Sequence, residues 1–287
     1  MEAKSYLLTF RAEDRVGIVS GVSSFLSERD GFILDSQQYA DLETGRFFMR
    51  MEFTGHGARF PATIDDLESQ FEPTATRLAI DWQLNDKSTP LKVLIAVSKG
   101  GHCLQDLLHR WSSGDLPIDV VGVLSNHETL RPLAEWHRVP FVHLPVDNRN
   151  RVEQEDAILS LIETSRADLL VLARYMQVLS TRLSGALDGR CINIHHGFLP
   201  AFKGAQPYHQ AYQRGVKLIG ATAHFVTCDL DEGPIIEQAV ERVDHRATIE
   251  DFIRIGRDTE ALVLARAVRA AAERRIFANG HRTVVFS

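Results

Sequence analysis

The chain has 287 residues, 44% of them hydrophobic and 24% charged, with a formal net charge of -6. That balance is ordinary for a globular protein and long enough for two modest domains or one large one. No Lys/Arg cluster stands out, which excludes the electrostatic footprint of a nucleic-acid binder, and no apolar run approaches the roughly 18 residues needed to span a bilayer.

Cys103, Cys191 and Cys228 lie far apart and form no CxxC pair. They suggest neither a disulfide framework nor a zinc knuckle, so no metal is expected. Met1-Glu2-Ala3-Lys4 lacks the basic-then-apolar pattern of a signal peptide. The expected location is therefore the reducing cytoplasm.

In chain order, Ser5 to Phe10 reads as a strand, and Ile18 to Leu26 has apolar residues at helical spacing. Ile33 to Ala40 and Arg46 to Phe53 read as a hairpin around Glu43-Thr44-Gly45. Ala62 to Gln70 reads as a second helix and Leu78 to Leu84 as a fourth strand. The order βαββαβ predicts a ferredoxin-like sandwich over residues 1–84. Residues 85–90, a polar stretch ending in proline, read as a linker.

Leu91 to Val97 then opens a second module, 91–287, in the manner of a buried parallel strand. Apolar runs at Val120 to Leu124, Phe141 to Leu144, Leu169 to Leu172 and Cys191 to Ile194 alternate with helical segments. This alternation predicts an α/β, Rossmann-like, open and mostly parallel sheet, with ligands beyond the carboxyl ends of its strands. Thr248 to Phe277 reads as one long helix and Thr283 to Phe286 as a last strand.

Chemistry-bearing residues gather just past these runs. Asn193 and His195 are two apart in Ile192-Asn193-Ile194-His195-His196-Gly197-Phe198-Leu199-Pro200, so both point to one face of a strand. A second run, Gly220 to Val226, contains His224. It leads into Thr227-Cys228-Asp229-Leu230-Asp231-Glu232-Gly233-Pro234. His195 and His196 do not easily converge on one ion from an extended strand, which argues against reading the histidines as a metal site.

Two resemblances follow. Glu13-Asp14-Arg15-Val16-Gly17-Ile18-Val19 resembles the start of an ACT domain. The acidic residue suits a helix N-terminus, and Gly17 allows a close backbone approach. ACT domains pair side by side and often bind amino acids at the interface. The resemblance thus implies a homo-oligomer, dimer or tetramer, with an amino-acid effector or with pairing alone.

The second module resembles the folate-dependent formyltransferase/hydrolase family over most of residues 91–245. It has that family's Asn-x-His, apolar-Leu-Pro turn, His-Phe-Val and Leu-Asp-x-Gly-Pro in order. Carried over, Asn193, His195 and Asp231 match the catalytic trio. Pre-placed donors from Asn193 and a protonated His195 suit a tetrahedral oxyanion, while Asp231 suits holding a water or keeping His195 charged. The resemblance also implies a pterin-holding loop at Arg174, Tyr175, Met176, Val178 and Leu179, faced by backbone groups around Cys228, Asp229 and Leu230. His224 is expected to position Asp231 or its loop. His196 is expected to face the opposite way, in a supporting or surface role.

The acceptor separates hydrolases from transferases in this family. Ser98-Lys99-Gly100-Gly101-His102-Cys103 departs from the phosphate-cradling loop of ribonucleotide-accepting members, and no basic C-terminal barrel follows as in tRNA-formylating ones. The ACT-bearing hydrolases are similar over the full chain, including Arg46-Phe47-Phe48-Met49-Arg50 and Tyr208-His209-Gln210-Ala211-Tyr212. The implied reaction is hydrolysis of 10-formyltetrahydrofolate to tetrahydrofolate and formate. Folate is then the substrate and no cofactor is expected. Transfer to an amine, or folate or amino-acid sensing without turnover, are the alternative readings.

Overall fold

The computed structural model describes residues 4–147, 149–200 and 207–287. They divide into two compact units. The first comprises Met1–Pro90 with Arg274–Phe277 and Val284–Ser287, and the second comprises Leu91–Glu273 with Ala278–Thr283. Residues 274–277 and 284–287, expected in the second module, therefore group with the first.

The first unit runs β1 (Ser5–Glu13), α1 (Ile18–Glu28), β2 (Gly31–Asp41), β3 (Arg46–Gly55), α2 (Ile64–Leu78) and β4 (Asp81–Asp86). The strands form one sheet in the order β2-β3-β1-β4, with every pair antiparallel. This is the βαββαβ order expected. Gly17 takes a φ of 99° at the N-cap of α1, a conformation that needs glycine. No acidic side chain caps that helix. Asp14 instead uses its backbone N–H, which donates to Gly45 O at 2.8 Å. Helix α2 runs past its expected end because the apolar spacing Leu67, Phe71, Ala75 continues through Pro73, and β4 starts correspondingly late.

The second unit is a seven-stranded sheet with helices between strands. Its elements are β5 (Leu91–Val97), α3 (His102–Ser112), β6 (Ile118–Ser125), α4 (Arg131–Trp136), β7 (Phe141–His143), α5 (Arg151–Ser165), β8 (Leu169–Leu172), α6 (Thr181–Ala186) and β9 (Cys191–His195). Then come α7 (Pro207–Gln213), β10 (Leu218–Phe225), β11 (Ile235–Arg242) and α8 (Ile249–Ala272). The sheet order is β11-β10-β9-β8-β5-β6-β7. Strands β7, β6, β5, β8 and β9 are parallel, and β10 returns antiparallel between β9 and β11. The α/β, mostly parallel architecture is as the sequence predicts.

Two features of this sheet position the site. Strand order reverses at β5, whose neighbours are β6 and β8, so a crevice opens beyond the carboxyl ends of β5 and β8. The antiparallel pairing of β10 with β9 sets Asn193 opposite His224 and His195 opposite Thr222.

Helix α8 opens with a capping box between Thr248 and Asp251 and presents Phe252, Gly256, Glu260, Val263, Leu264 and Ala267 to the interior. It ends at Ala272, short of the expected Phe277. Arg274 takes a left-handed φ of 53°, and residues 276–279 form β12 (Ile276–Asn279), paired with β13 (Arg282–Val285) across Gly280. Among the described residues no helix is long and apolar enough to cross a membrane.

Candidate active site

A cavity of about 600 Å³ opens at the carboxyl ends of β8 and β9. Its walls include Arg174, Tyr175, Met176, Val178 and Leu179 from the loop after β8, Asn193 and His195 from β9, and Cys228, Asp229, Leu230 and Asp231 from the loop after β10. Every residue expected at the catalytic and pterin-binding positions lines this one space. His196, Tyr208 and His224 line it too.

The β8 loop is held from beneath by polar groups. Ser98 Oγ donates to Asn126 Oδ1 at 2.7 Å and accepts from Met176 N–H at 2.9 Å, while Ser98 N–H donates to Arg174 O at 3.2 Å. Further along, Arg151 donates to Val178 O, and Glu155 accepts from Ser180 N–H at 2.8 Å. So tethered, the loop turns Met176 and Val178 outward, 57% and 52% exposed, and Leu230 faces the same space at 61%. Apolar side chains this open at a concave rim suit a flat, apolar ligand. Tyr175 is by contrast buried among Leu172, Leu183 and Leu187, and burial raises its phenol to about 12.

His195 and Asp231 meet directly, Nδ1 to Oδ2 at 3.2 Å. The hydrogen bond from His195 is the largest of the effects that hold the Asp231 carboxyl far below the usual carboxylate range against the opposing effect of burial. Asp231 thus stays ionised. An Nδ1–H donating to it leaves His195 Nε2 buried and without a hydrogen-bond partner among the described residues.

Asn193 joins this pair through His224. His224 Nδ1 donates to Phe225 O at 2.8 Å, since a carbonyl only accepts, so in the neutral ring Nε2 carries the lone pair. Asn193 Nδ2 lies 3.2 Å from that Nε2, and Asp231 Oδ1 lies 3.7 Å from it. His224 therefore orients the Asn193 amide as well as facing Asp231.

Asp231 has a φ of 57°, a left-handed conformation that aspartate tolerates at modest cost. The loop can return only because residue 233 has no side chain: a Cβ there would lie 1.7 Å from Phe225 O and 3.2 Å from His224 Nδ1. The carbonyl that fixes the His224 tautomer is thus the one against which Gly233 packs.

His196 departs from expectation. Strand β9 ends at His195, so alternation no longer dictates where the next side chain points. Its ring stacks on that of His195, centroids 5.2 Å apart at 12°, and its Nδ1 accepts from Arg174. Burial, with the charge of Arg174 adding to it, lowers its pKa to about 4.

Arg174, placed in the loop by sequence, points its guanidinium inward. Its Nε lies 3.3 Å from Glu260 Oε2 on α8, a carboxylate 1% exposed. Glu260 also meets His102 Nε2 at 2.8 Å and accepts from the Tyr208 hydroxyl at 2.5 Å. Burial opposes its ionisation, but His102, Arg174 and Tyr208 outweigh it and hold its pKa below the ordinary value. His102, Cys103 and Glu260 lie close enough to share a cation. The Arg174 guanidinium already neutralises that carboxylate, however, and burial, reinforced by the charge of Glu260, raises the Cys103 thiol well above its usual range.

A model of the formyl transferase family matches residues 91–268. The formyltetrahydrofolate deformylase of Corynebacterium sp. (strain P-1) is 50% identical over 284 residues, 99% of each chain. A solved formyltetrahydrofolate deformylase from Pseudomonas syringae superposes with a TM-score of 0.96 at 44% identity, covering 100% of this chain and 96% of that one. Another, from Burkholderia mallei, gives 0.94 at 50% identity, covering 99% and 100%. The chain belongs to the formyltetrahydrofolate deformylase family.

Within this deformylase-family site, Glu260 escaped the sequence reading, as did the part Ser98 plays in anchoring the β8 loop. Glu260 had a signal. It falls on the apolar stripe of α8 with Phe252, Gly256, Val263 and Ala267, where a carboxylate must be paired to be buried. That role of Ser98 had no signal, because its partners come from two other strand ends, those of β6 and β8.

Two outcomes follow from the geometry. Gly233→Ala forces the Asp231 loop off Phe225 O, so turnover falls far more than the unfolding midpoint, as steady-state kinetics and thermal melts on one preparation will register. His196 is held neutral in the fold with a pKa of about 4, against 6.5 when unfolded. The unfolded chain then binds the extra proton between those values, so this residue makes stability fall as pH drops from 6.5 towards 4. Unfolding midpoints measured across that window are expected to show a shallower acid slope in His196→Gln.

Proposed function

We propose that this chain hydrolyses 10-formyltetrahydrofolate to tetrahydrofolate and formate, with Asn193, His195 and Asp231 as its catalytic residues. The observation that carries the reading is the His195 imidazole, tied to an ionised Asp231 at Nδ1 and left with a buried, unpartnered Nε2 inside the cavity.

The chemistry runs through that nitrogen. Nε2 takes a proton from water as its oxygen attacks the formyl carbon, and Asp231 stabilises the imidazolium that forms. Asn193, its amide set by His224, donates Nδ2–H to the developing oxyanion, a contact worth about 3 kcal/mol in a preorganised site. The imidazolium then gives its proton to N10 as the carbon–nitrogen bond breaks. Tetrahydrofolate leaves with formic acid, which gives its proton to solvent to become formate, and His195 is neutral again. The arylamine nitrogen is a tolerable leaving group once protonated.

The pterin fits the apolar rim of Met176, Val178, Leu179 and Leu230, with backbone groups around Cys228 and Asp229 completing its pocket. The first unit, with its βαββαβ topology, serves as an ACT-like domain for residues 1–84, joined through 85–90 to the catalytic module that starts at Leu91. It pairs chains into a dimer or tetramer and offers a place for an amino-acid effector. Three free thiols fit a reducing cytoplasm.

Pure protein given 10-formyltetrahydrofolate and no amine is expected to release formate stoichiometrically with tetrahydrofolate. His195→Ala should lower kcat by about 10²–10³-fold or more while folate still binds, the scale of removing one preorganised catalytic group. Undiminished turnover in that variant removes His195 from its role. Leu230→Asp is expected to raise KM with kcat little changed, because the rim binds ground state and transition state alike. A drop confined to kcat would place Leu230 at the reacting centre instead.

A further inference from the structure

A second, smaller cavity of about 350 Å³ lies beside the first, at the point where strand order reverses, against the loop Ser98–Gly100. It shares Arg174, Met176 and Gln177 with the larger cavity. His102 lines only the smaller space and Tyr208 only the larger one. Glu260, 1% exposed, lines neither, yet bonds to both: His102 Nε2 at 2.8 Å on one side and Tyr208 Oη at 2.5 Å on the other. The path His102–Glu260–Tyr208 therefore crosses from one cavity to the other through a buried carboxylate. Arg174 completes it, 3.3 Å from Glu260 and bonded onward to His196, whose ring stacks on His195.

We infer that this Glu260-centred network is a partition that closes the acceptor side of the site, so that water is the only nucleophile to reach the formyl carbon. The inference rests on the hydrolase reading above. A bound folate occupies the larger cavity, and an amine acceptor then needs a second berth beside the same carbon. The smaller cavity is that berth, and the partition shuts it off. Burying a carboxylate costs several kcal/mol unless it is paired and fully hydrogen-bonded. Here both oxygens are occupied, by His102 and Arg174 on Oε2 and by Tyr208 on Oε1. Tyr208 is held in place by its fit against α8, where a Cβ on Gly256 would lie 2.1 Å from its ring. Its phenol, pushed upward in pKa by burial and then by the charge of Glu260, remains a donor. The wall is thus rigid, charge-compensated and one ring removed from the working imidazole.

With the wall open, an amine nitrogen would attack the formyl carbon in place of water. The carbon–N10 bond would break as before, the amine losing one proton and N10 gaining one. The probe is glycinamide, a primary amine, supplied with 10-formyltetrahydrofolate to the full-length protein. The reading is the ratio of N-formylglycinamide to formate, by mass spectrometry. That ratio is taken within the active molecules and does not move with the fraction folded.

The unsubstituted protein should give formate with only a trace of N-formylglycinamide, which sets the reference ratio. Glu260→Ala should raise the ratio by about tenfold or more, the scale on which one pocket contact discriminates between substrates. Glu260→Gln, which keeps the volume and one accepting oxygen but puts an N–H donor in place of the other, should move the ratio less than Glu260→Ala does. If Glu260→Ala does not fold, His102→Ala reads the same wall from the other cavity. A ratio unchanged in both alanine variants while formate release continues would overturn the partition. Failure of the unsubstituted protein to release formate would instead remove the hydrolase reading, leaving the two ideas separable.

Discussion

The site depends on one contact between segments that are 36 residues apart: the imidazole at the end of β9 and the carboxylate in the loop beyond β10. Neither residue's neighbours in sequence bring it there. The antiparallel return of β10 does so, by setting His224 beside Asn193 and Thr222 beside His195. Thr222 is itself fully buried. Its hydroxyl donates to Gly197 O at 2.9 Å and accepts from Leu199 N–H at 3.0 Å and Gln238 Nε2 at 2.9 Å. The turn after His195 is thus clamped to the strand that carries His224. A slip of one residue in this register would turn His224 to the opposite face of the sheet and dismantle the site.

Two charge systems share the cavity without merging. Asp231 accepts from and orients His195 on one side. Glu260 compensates Arg174 on the far side. His196 stands between them as a ring held neutral by burial and by the nearby guanidinium, stacked on one system and hydrogen-bonded to the other. A neutral spacer suits this position. A charged imidazole at His196 would repel both the guanidinium and any cationic form of His195.

Much of this was legible in the residues. The β-branched and leucine-rich runs of β5, β6, β8 and β9 announced a buried parallel sheet, because strands covered on both faces have no polar side to show. Asn193 and His195 were legible together because strand alternation puts them on one face. The reading stopped where local periodicity stops. His196 follows the last strand residue, so the alternation that sent it away from the cavity did not apply. Helix α8 was drawn to Phe277 because its apolar spacing fades without a proline or glycine, and only the left-handed Arg274 marks the turn. The link from His224 to Asn193 needed the β9–β10 register, which depends on pairing between distant strands. Glu260 sat in view on an apolar helix stripe, but its partners come from α3, the β8 loop and α7.

The first unit is not continuous along the chain. It draws on residues up to Pro90 and again on Arg274–Phe277 and Val284–Ser287, with the whole of the second unit's main body threaded between. During synthesis from the amino end, the βαββαβ sandwich emerges early, yet two of its pieces follow only after the main body of the second unit. The second unit's sheet has by then been fully extruded. Completion of the leading unit therefore waits on segments that lie beyond the second unit's sheet.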